Sequence, residues 1–288
     1  MTSVSEAPAS FRSSAVRPGP VGLVREGVGD VLSRRRLIRY LVQADLKKKG
    51  ANTLLGNIWW VVDPLLQMAV YVILVSLIFA RKQPDYPLFI FSALLPWKWF
   101  TSAVSDGVNS IVGSERLIKQ IQFPKIVLPV ASAMSGIVSF TFGLIPLTAL
   151  LLLFYPERAS IWFLTIPVIA FVQLLFTLPV VVAVSSSNVF YRDIGNLARH
   201  VLRLWWYLSP GLYGVDLILE LTREFPIVGT LMLLNPFATL FTAYRDAIYE
   251  GISPNWTSLA ILAGVSIVLL VLATWYFKRV EPAFAKVL

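Results

Sequence analysis

Apolar residues in this chain gather into long blocks separated by short polar breaks. Blocks at 58–79, 88–112, 126–155 and 161–184 each reach the roughly 20 residues that an α-helix needs to cross a bilayer. A further block at 256–277 has the same length, whereas 201–215 is shorter. The stretch 217–241 is only semi-apolar, interrupted by Thr222, Arg223, Glu224, Pro226 and the pair Asn235-Pro236. It reads as re-entrant, because irregular backbone at membrane depth needs protein or water to satisfy its polar groups. The pattern predicts an all-α integral membrane protein, with residues 58–288 forming one domain of six spans and re-entrant helices before the last.

A different periodicity precedes the first block. Residues 34–47, RRRLIRYLVQADLK, place Leu37, Ile38, Leu41, Val42 and Leu46 on one helical face and Arg35, Arg36, Arg39, Gln43 and Lys47 on the other. This predicts an amphipathic helix lying in the headgroup layer, with its lead-in reaching residue 57. Residues 1–33 are rich in Ser, Ala, Pro, Gly and Val and carry no signal-peptide core, so they are expected to form a flexible tail.

Composition agrees with the pattern. The 288 residues are 57% hydrophobic and only 14% charged, whereas soluble domains carry about a quarter charged residues. There is no cysteine, hence no disulfide and no thiol nucleophile, and His200 is the sole histidine, which argues against a zinc cluster. His200 is expected to be a solvated interfacial residue.

The net charge of +9 is explained by where the 25 Lys and Arg residues stand, without recourse to nucleic acid. Nineteen of them fall on the N-terminal arm, on the loops after the second and fourth blocks, and on the C-terminal tail. Basic loops stay in the cytoplasm, so both termini are expected inside, which requires an even number of spans.

One of those loops is too apolar for a passive linker, and the other carries a polar motif. In GSERLIKQIQFPK (113–125), Leu117, Ile118 and Ile121 recur at helical spacing among Arg116, Lys119 and Phe123, and Pro124 stops the pattern. A short helix with an apolar edge is expected there, facing either a partner or the bilayer. In NVFYRDIGNLARH (188–200), Tyr191, Arg192 and Asp193 form a candidate cytoplasmic gate or a capped turn. Arg192 and Asp193 are adjacent and would point about 100° apart on a helix, so they are not an obvious ion pair.

No machinery for catalysis is visible: the chain has no G-x-x-x-x-G-K-[ST] phosphate loop, no G-x-S-x-G and no H-E-x-x-H. No catalytic, cofactor or metal residue is therefore assigned. Asp63 and Asp106 lie near span interiors with no acid or base close in sequence. A permease driven by a partner, a secondary carrier or channel, and a membrane-embedded lipid or sugar transferase all remain open at this point.

The segments LLGNIWWVVDPLL (54–66), YPLFIFSALLPWKWF (86–100), RLIKQIQFPKIVLP (116–129), NVFYRDIGNL (188–197) and LNPFATLFTAYRDAIY (234–249) change that balance. Together, in this order, they resemble the membrane subunit of ABC exporters of lipid-linked polysaccharides, the permeases for O-antigen, capsule, teichoic acid and galactan. The resemblance implies six spans with both ends in the cytoplasm of a bacterial inner membrane. It also implies a homodimer working with two copies of a separate ATPase, which would hold the ATP and Mg, and a polyprenyl-linked polysaccharide as cargo. By similarity, 34–46 is the interfacial helix, 116–124 the coupling helix on the ATPase, and 217–241 a re-entrant pair at the outer mouth. Aromatic faces stack on sugar rings without fixing a register, which makes Trp59, Trp60, Tyr71, Trp97, Trp99, Phe100, Phe140 and Phe142 channel candidates, although for any one of them interfacial anchoring is the commoner explanation.

Overall fold

The computed structural model describes residues 18–51, 55–75 and 84–288, and all of the regular structure among them is helical. Helix α1 (Pro20–Ser33) leads through Arg34 into α2 (Arg35–Gly50), and α3 (Trp59–Ile73) follows. Next come α4 (Tyr86–Ser110), the short α5 (Glu115–Gln120), α6 (Val127–Phe154) and α7 (Ile166–Phe190). The chain ends with α8 (Ile194–Leu208), α9 (Val215–Glu224), α10 (Pro226–Leu233), α11 (Pro236–Arg245), α12 (Trp256–Val280) and α13 (Phe284–Val287).

Four helical segments, Tyr86–Ser110, Val127–Phe154, Ile161–Phe190 and Trp256–Val287, are long and apolar enough to cross a membrane. At 1.5 Å per residue, 25 residues reach about 37 Å, more than the hydrocarbon slab of about 30 Å. The pair Pro226–Leu233 and Pro236–Glu250, bent by 64°, supplies a fifth candidate. Of the expected first span, 58–79, the structure describes α3, an apolar helix of 15 residues, and 76–79 lie outside the described residues.

Helix α4 is the central post, with α3, α6, α7, α8 and α11 packed around it. Its approach to α6 depends on two glycines: a Cβ on Gly136 would come within 2.4 Å of the Trp99 ring, and one on Gly143 within 2.6 Å of Leu95. Small residues at such crossings let helices pack closely where no hydrophobic driving force exists between them. Buried amides add polar ties. Gln173 donates to the Pro96 carbonyl at 2.8 Å, and Asn188 donates to Val108 O at 3.0 Å while accepting the Gly195 N–H at 3.1 Å.

Two expectations are corrected. The fifth span, placed at 201–215, is not a full crossing. Helix α8 starts earlier, ends before Ser209-Pro210-Gly211, and at 15 residues reaches only about 22 Å. Its Trp205 indole donates to Asn235 Oδ1 at 2.9 Å, and Asn235 in turn donates to Ser209 Oγ at 2.8 Å, so α11 begins beside the place where α8 ends. Helix α8 thus packs along the half of α4 near Val108, and α11 with its π-helical extension (Asp246–Glu250) along the half near Phe89, with the α9–α10 hairpin inserted between them.

The supposed tail is the second correction, because from Pro20 onward it is a helix docked on α12. The Lys278 ammonium, nearly buried, lies 3.1 Å from Glu26, 2.9 Å from Asp30 and 2.6 Å from Glu281. Glu26 and Asp30 stand four residues apart on one face of α1, and Gly27 between them lets the backbone close on Thr274. Composition hid this face among small residues.

Candidate functional site

A cavity of about 370 Å³ opens between α3, α4 and α6, lined by Trp59, Trp60, Asp63, Lys98, Trp99, Ser102, Ser139 and Phe140. Asp63 and Lys98 form an ion pair across it, and Lys98 Nζ also donates to Gln67 Oε1 at 3.1 Å. Indole and phenyl surfaces therefore surround a pocket whose polar groups are one carboxylate, one ammonium and two hydroxyls. This combination can stack on the apolar face of a sugar ring and exchange hydrogen bonds with its hydroxyls.

The polar groups continue along α4 at helical spacing. Ser102 donates to Asp106 Oδ2 at 3.2 Å, and Asp106 pairs with Lys49 of α2 at 2.7 Å. Asp45, one turn before Lys49, lies 3.0 Å from the same ammonium. Burial works against the charge of Lys49, but Asp106 and Asp45 outweigh it and hold its pKa above the ordinary lysine value. A second cavity of about 350 Å³, lined by Asp45, Asp106, Asn109, Ser110 and Ser132, follows at this end of the stripe.

The aromatic candidates divide. Trp59 and Phe142 are 42% and 40% exposed, and Trp60 meets Phe142 with ring centres 5.2 Å apart. Tyr71 lies against Trp206 at 5.8 Å. Trp97 and Phe100 are core residues, packed on Phe237 at 4.8 Å each, and the channel role expected for them is withdrawn: α4 is surrounded by helices at that height. Trp99 and Phe140, 5.1 Å apart and almost fully buried, also line the cavity.

The candidate coupling segment is also rearranged. Helix α5 stops at Gln120, and Ile121 is extended, with φ −134° and ψ 146°. Ile118 and Ile121 therefore do not share an edge. Ile118 is 6% exposed, packed within a cluster that includes Ile126, Phe277 and Phe284, whereas Ile121 is 51% exposed. Arg116 points outward, and Leu117 and Phe123 are half-buried. Lys119 donates to Glu115 Oε1 at 2.6 Å and to Leu288 O at 2.9 Å, and that contact draws the Glu115 carboxyl below its usual value. Beside this segment a groove of about 880 Å³ runs between α1, residues 118–125 and the C-terminal turn.

Tyr191, Arg192 and Asp193 form an exposed turn between α7 and α8, and Tyr191 is 68% exposed. The residue that organises this turn is Asn188, which was read only as part of the motif; a lone Asn at the end of a long apolar block was the available signal. Lys49 and Lys98 were likewise missed as the partners of Asp106 and Asp63. Their separations of 57 and 35 residues leave no local pattern to find.

No protein-family profile matches the chain. Among curated proteins it is 32% identical over 266 residues to the O-antigen export system permease protein RfbA of Myxococcus xanthus, covering 92% of this chain and 99% of that protein. It is 30% identical over 253 residues to the protein of the same name from Klebsiella pneumoniae, covering 88% of this chain and 95% of that one. The polysialic acid transport protein KpsM of Escherichia coli is a more distant relative, 20% identical over 250 residues, 85% of this chain and 94% of that protein. With such similarity over nearly its whole length, the chain belongs to the family of O-antigen export system permeases.

Proposed function

We propose that the chain is the membrane subunit of an ATP-driven ABC exporter that moves a lipid-linked polysaccharide across the bacterial cytoplasmic membrane. In this reading it works as a homodimer with two copies of a separate ATPase subunit. The observation that carries it is the cavity between α3, α4 and α6, where aromatic faces and hydroxyl-binding groups meet beside the middle of a membrane-spanning helix. A polyhydroxylated chain cannot enter bare hydrocarbon, since each unpaired hydroxyl costs about 4 to 8 kcal/mol there. A lined path removes that cost.

The six-span topology fits this reading if α3 continues as the first span and α8 with α11 share the fifth. In this reading α1, α2, α5, the 191–193 turn and α13 are cytoplasmic, as expected of basic flanks. The ATPase would dock on the groove beside 118–125, with Ile121 and Phe123 toward it and the buried Ile118 anchoring the segment from behind.

Reconstitution with the ATPase in inverted vesicles tests the proposal, using lipid-linked glycan from the producing strain. The expected result is glycan transfer to the lumen that requires ATP and both subunits. Transfer by this chain alone would indicate a secondary carrier, and glycan synthesis by it a transferase; either result would overturn the proposal.

A further inference from the structure

Helix α3 is held differently from its neighbours. Pro64 is its only buried residue, whereas most of α4 is buried. Pro64 also lacks the N–H that would bond the Trp60 carbonyl, which makes this the point where the helix bends most easily. Directly beside it stands Asp63, and one turn on stands Gln67. These two side chains supply the polar partners of Lys98, which lies at the midpoint of α4.

The consequence is thermodynamic. Swinging α3 away from α4 strips Lys98 of both oxygen acceptors and leaves an ammonium at mid-span, where an unpaired charge is costly. Hydrocarbon tails cannot replace those acceptors. A ligand carrying hydroxyl or phosphate oxygens can, and the cavity that would receive it already lies against Lys98, lined by Trp59, Trp60 and Ser102. A ligand shifts such an equilibrium only through its different affinity for the two states.

We propose that Asp63, Gln67 and Lys98 form a latch on α3 that opens to an oxygen-rich ligand and stays shut against lipid tails. The inference rests on the exporter reading, and the ligand oxygens would come from glycan hydroxyls or from the phosphate of the lipid carrier. Lys98 is thus a positioning residue that makes release of α3 conditional on cargo.

The absence of cysteine makes a direct test possible. Val70 on α3 and Ile261 on α12 are 61% and 64% exposed. Nitroxides on Val70→Cys and Ile261→Cys, in nanodiscs and diluted with unlabelled chain, report the position of α3 by pulsed EPR. The parent protein should give one narrow distance, and Lys98→Met or Asp63→Asn a second one. The exchanged pair Asp63→Lys with Lys98→Asp should return to a single distance. Maltoheptaose supplies hydroxyls and farnesyl diphosphate supplies phosphate; at least one should bring out the second distance in the parent, and neither should act on Lys98→Met.

Unchanged distances in the single variants, an exchanged pair as broad as they are, or a parent that responds to neither probe would overturn the latch. Gln67→Leu removes one acceptor and no charge, so it serves if the charge variants fail to insert. It should show the second distance at lower population, and a parent-like distribution counts against the latch. Normal ATP-driven glycan export with an α3 indifferent to these changes sinks the latch and leaves the exporter reading. A responsive α3 without such export does the reverse.

Discussion

Arg245 shows how a single side chain can hold a break in a membrane helix. It is 5% exposed, its guanidinium donates to Pro210 O at 2.6 Å, Tyr213 O at 3.1 Å and Gly211 O at 2.5 Å, and its Cζ lies 3.6 Å from the centre of the Phe89 ring. The turn after α8 has no helical donors for those carbonyls, so Arg245 supplies them. Arg245→Met should cost roughly 3 to 5 kcal/mol, since each buried carbonyl left unpaired costs about 1 to 3 kcal/mol. Thermal unfolding in detergent should therefore fall by about 10 °C. Arg245→Lys should recover little of this loss, because an ammonium cannot present the planar fork; full recovery would show that charge alone suffices. Lys49 sets a pH limit of a different kind. Its folded pKa is raised, so its contribution to holding α2 is complete below the free-lysine value of about 10.4 and is lost as pH rises through the folded value. Hydrogen exchange in 35–50 should stay flat from pH 7 to 9, once corrected for intrinsic rates, and Lys49→Met should speed it by a few fold, as expected of a half-exposed pair worth about 1 kcal/mol.

At the scale of elements, α5 separates two substitutions that look equivalent in sequence. Ile118→Asp buries an unpaired carboxylate among Ile126, Phe277 and Phe284, and should cost several kcal/mol, roughly 3 to 5, and lower the folded yield. Ile121→Asp changes an exposed side chain, so the chain should fold normally and lose only its ATPase partner, measured by co-purification. Retained partner and export in Ile121→Asp would remove the coupling role from this segment. Helix α1 depends on Lys278 in a comparable way. Glu281, the partner of Lys278, also accepts the Lys125 N–H at 2.7 Å, which joins α1, α12 and the segment after α5 in one network. Lys278→Met leaves Glu26, Asp30 and Glu281 facing one another and should release α1, so that trypsin cleaves after Arg25 faster than in the parent. These elements also show what the sequence could and could not convey. The long apolar blocks that became α4, α6, α7 and α12 were legible because length and hydropathy alone define a span. The inward face of α2 was legible because its period is 3.6. Helix α1 was not, because its docking comes from one distant lysine. The stop at Gln120 was not, because Ile118, Ile121 and Pro124 suit a longer helix equally well. In the cavity, Trp59 and Trp60 were readable as aromatic candidates for a glycan path, whereas Asp63–Lys98 and Lys49–Asp106 exist only through tertiary contact.

At the scale of the whole molecule, the cavity volume constrains the assembly. A path through about 30 Å of hydrocarbon is not contained in about 370 Å³, a volume typical of one small-ligand pocket. Nor do three helices at the usual 8 to 10 Å spacing enclose a conduit. On the proposed reading the cavity is one wall segment of that path, with Trp59 and Phe142 left partly uncovered. A second copy related by a twofold axis would close the opposite wall with the same residues, the commonest symmetry for such assemblies. The chain should therefore purify as a dimer, and nanodiscs loaded with a single copy should show no ATP-driven glycan transfer where two-copy discs do. The same preparations fix the orientation. With single cysteines introduced, position 158 should react with an impermeant reagent from outside, and positions 119, 192 and 286 only after permeabilisation. Outside reaction at 119 would invert the topology and move the groove beside α5 away from any cytoplasmic ATPase. Full transfer by single-copy discs would mean that one chain opens far enough to complete the path alone, with α3, whose one buried residue is Pro64, as the wall that moves.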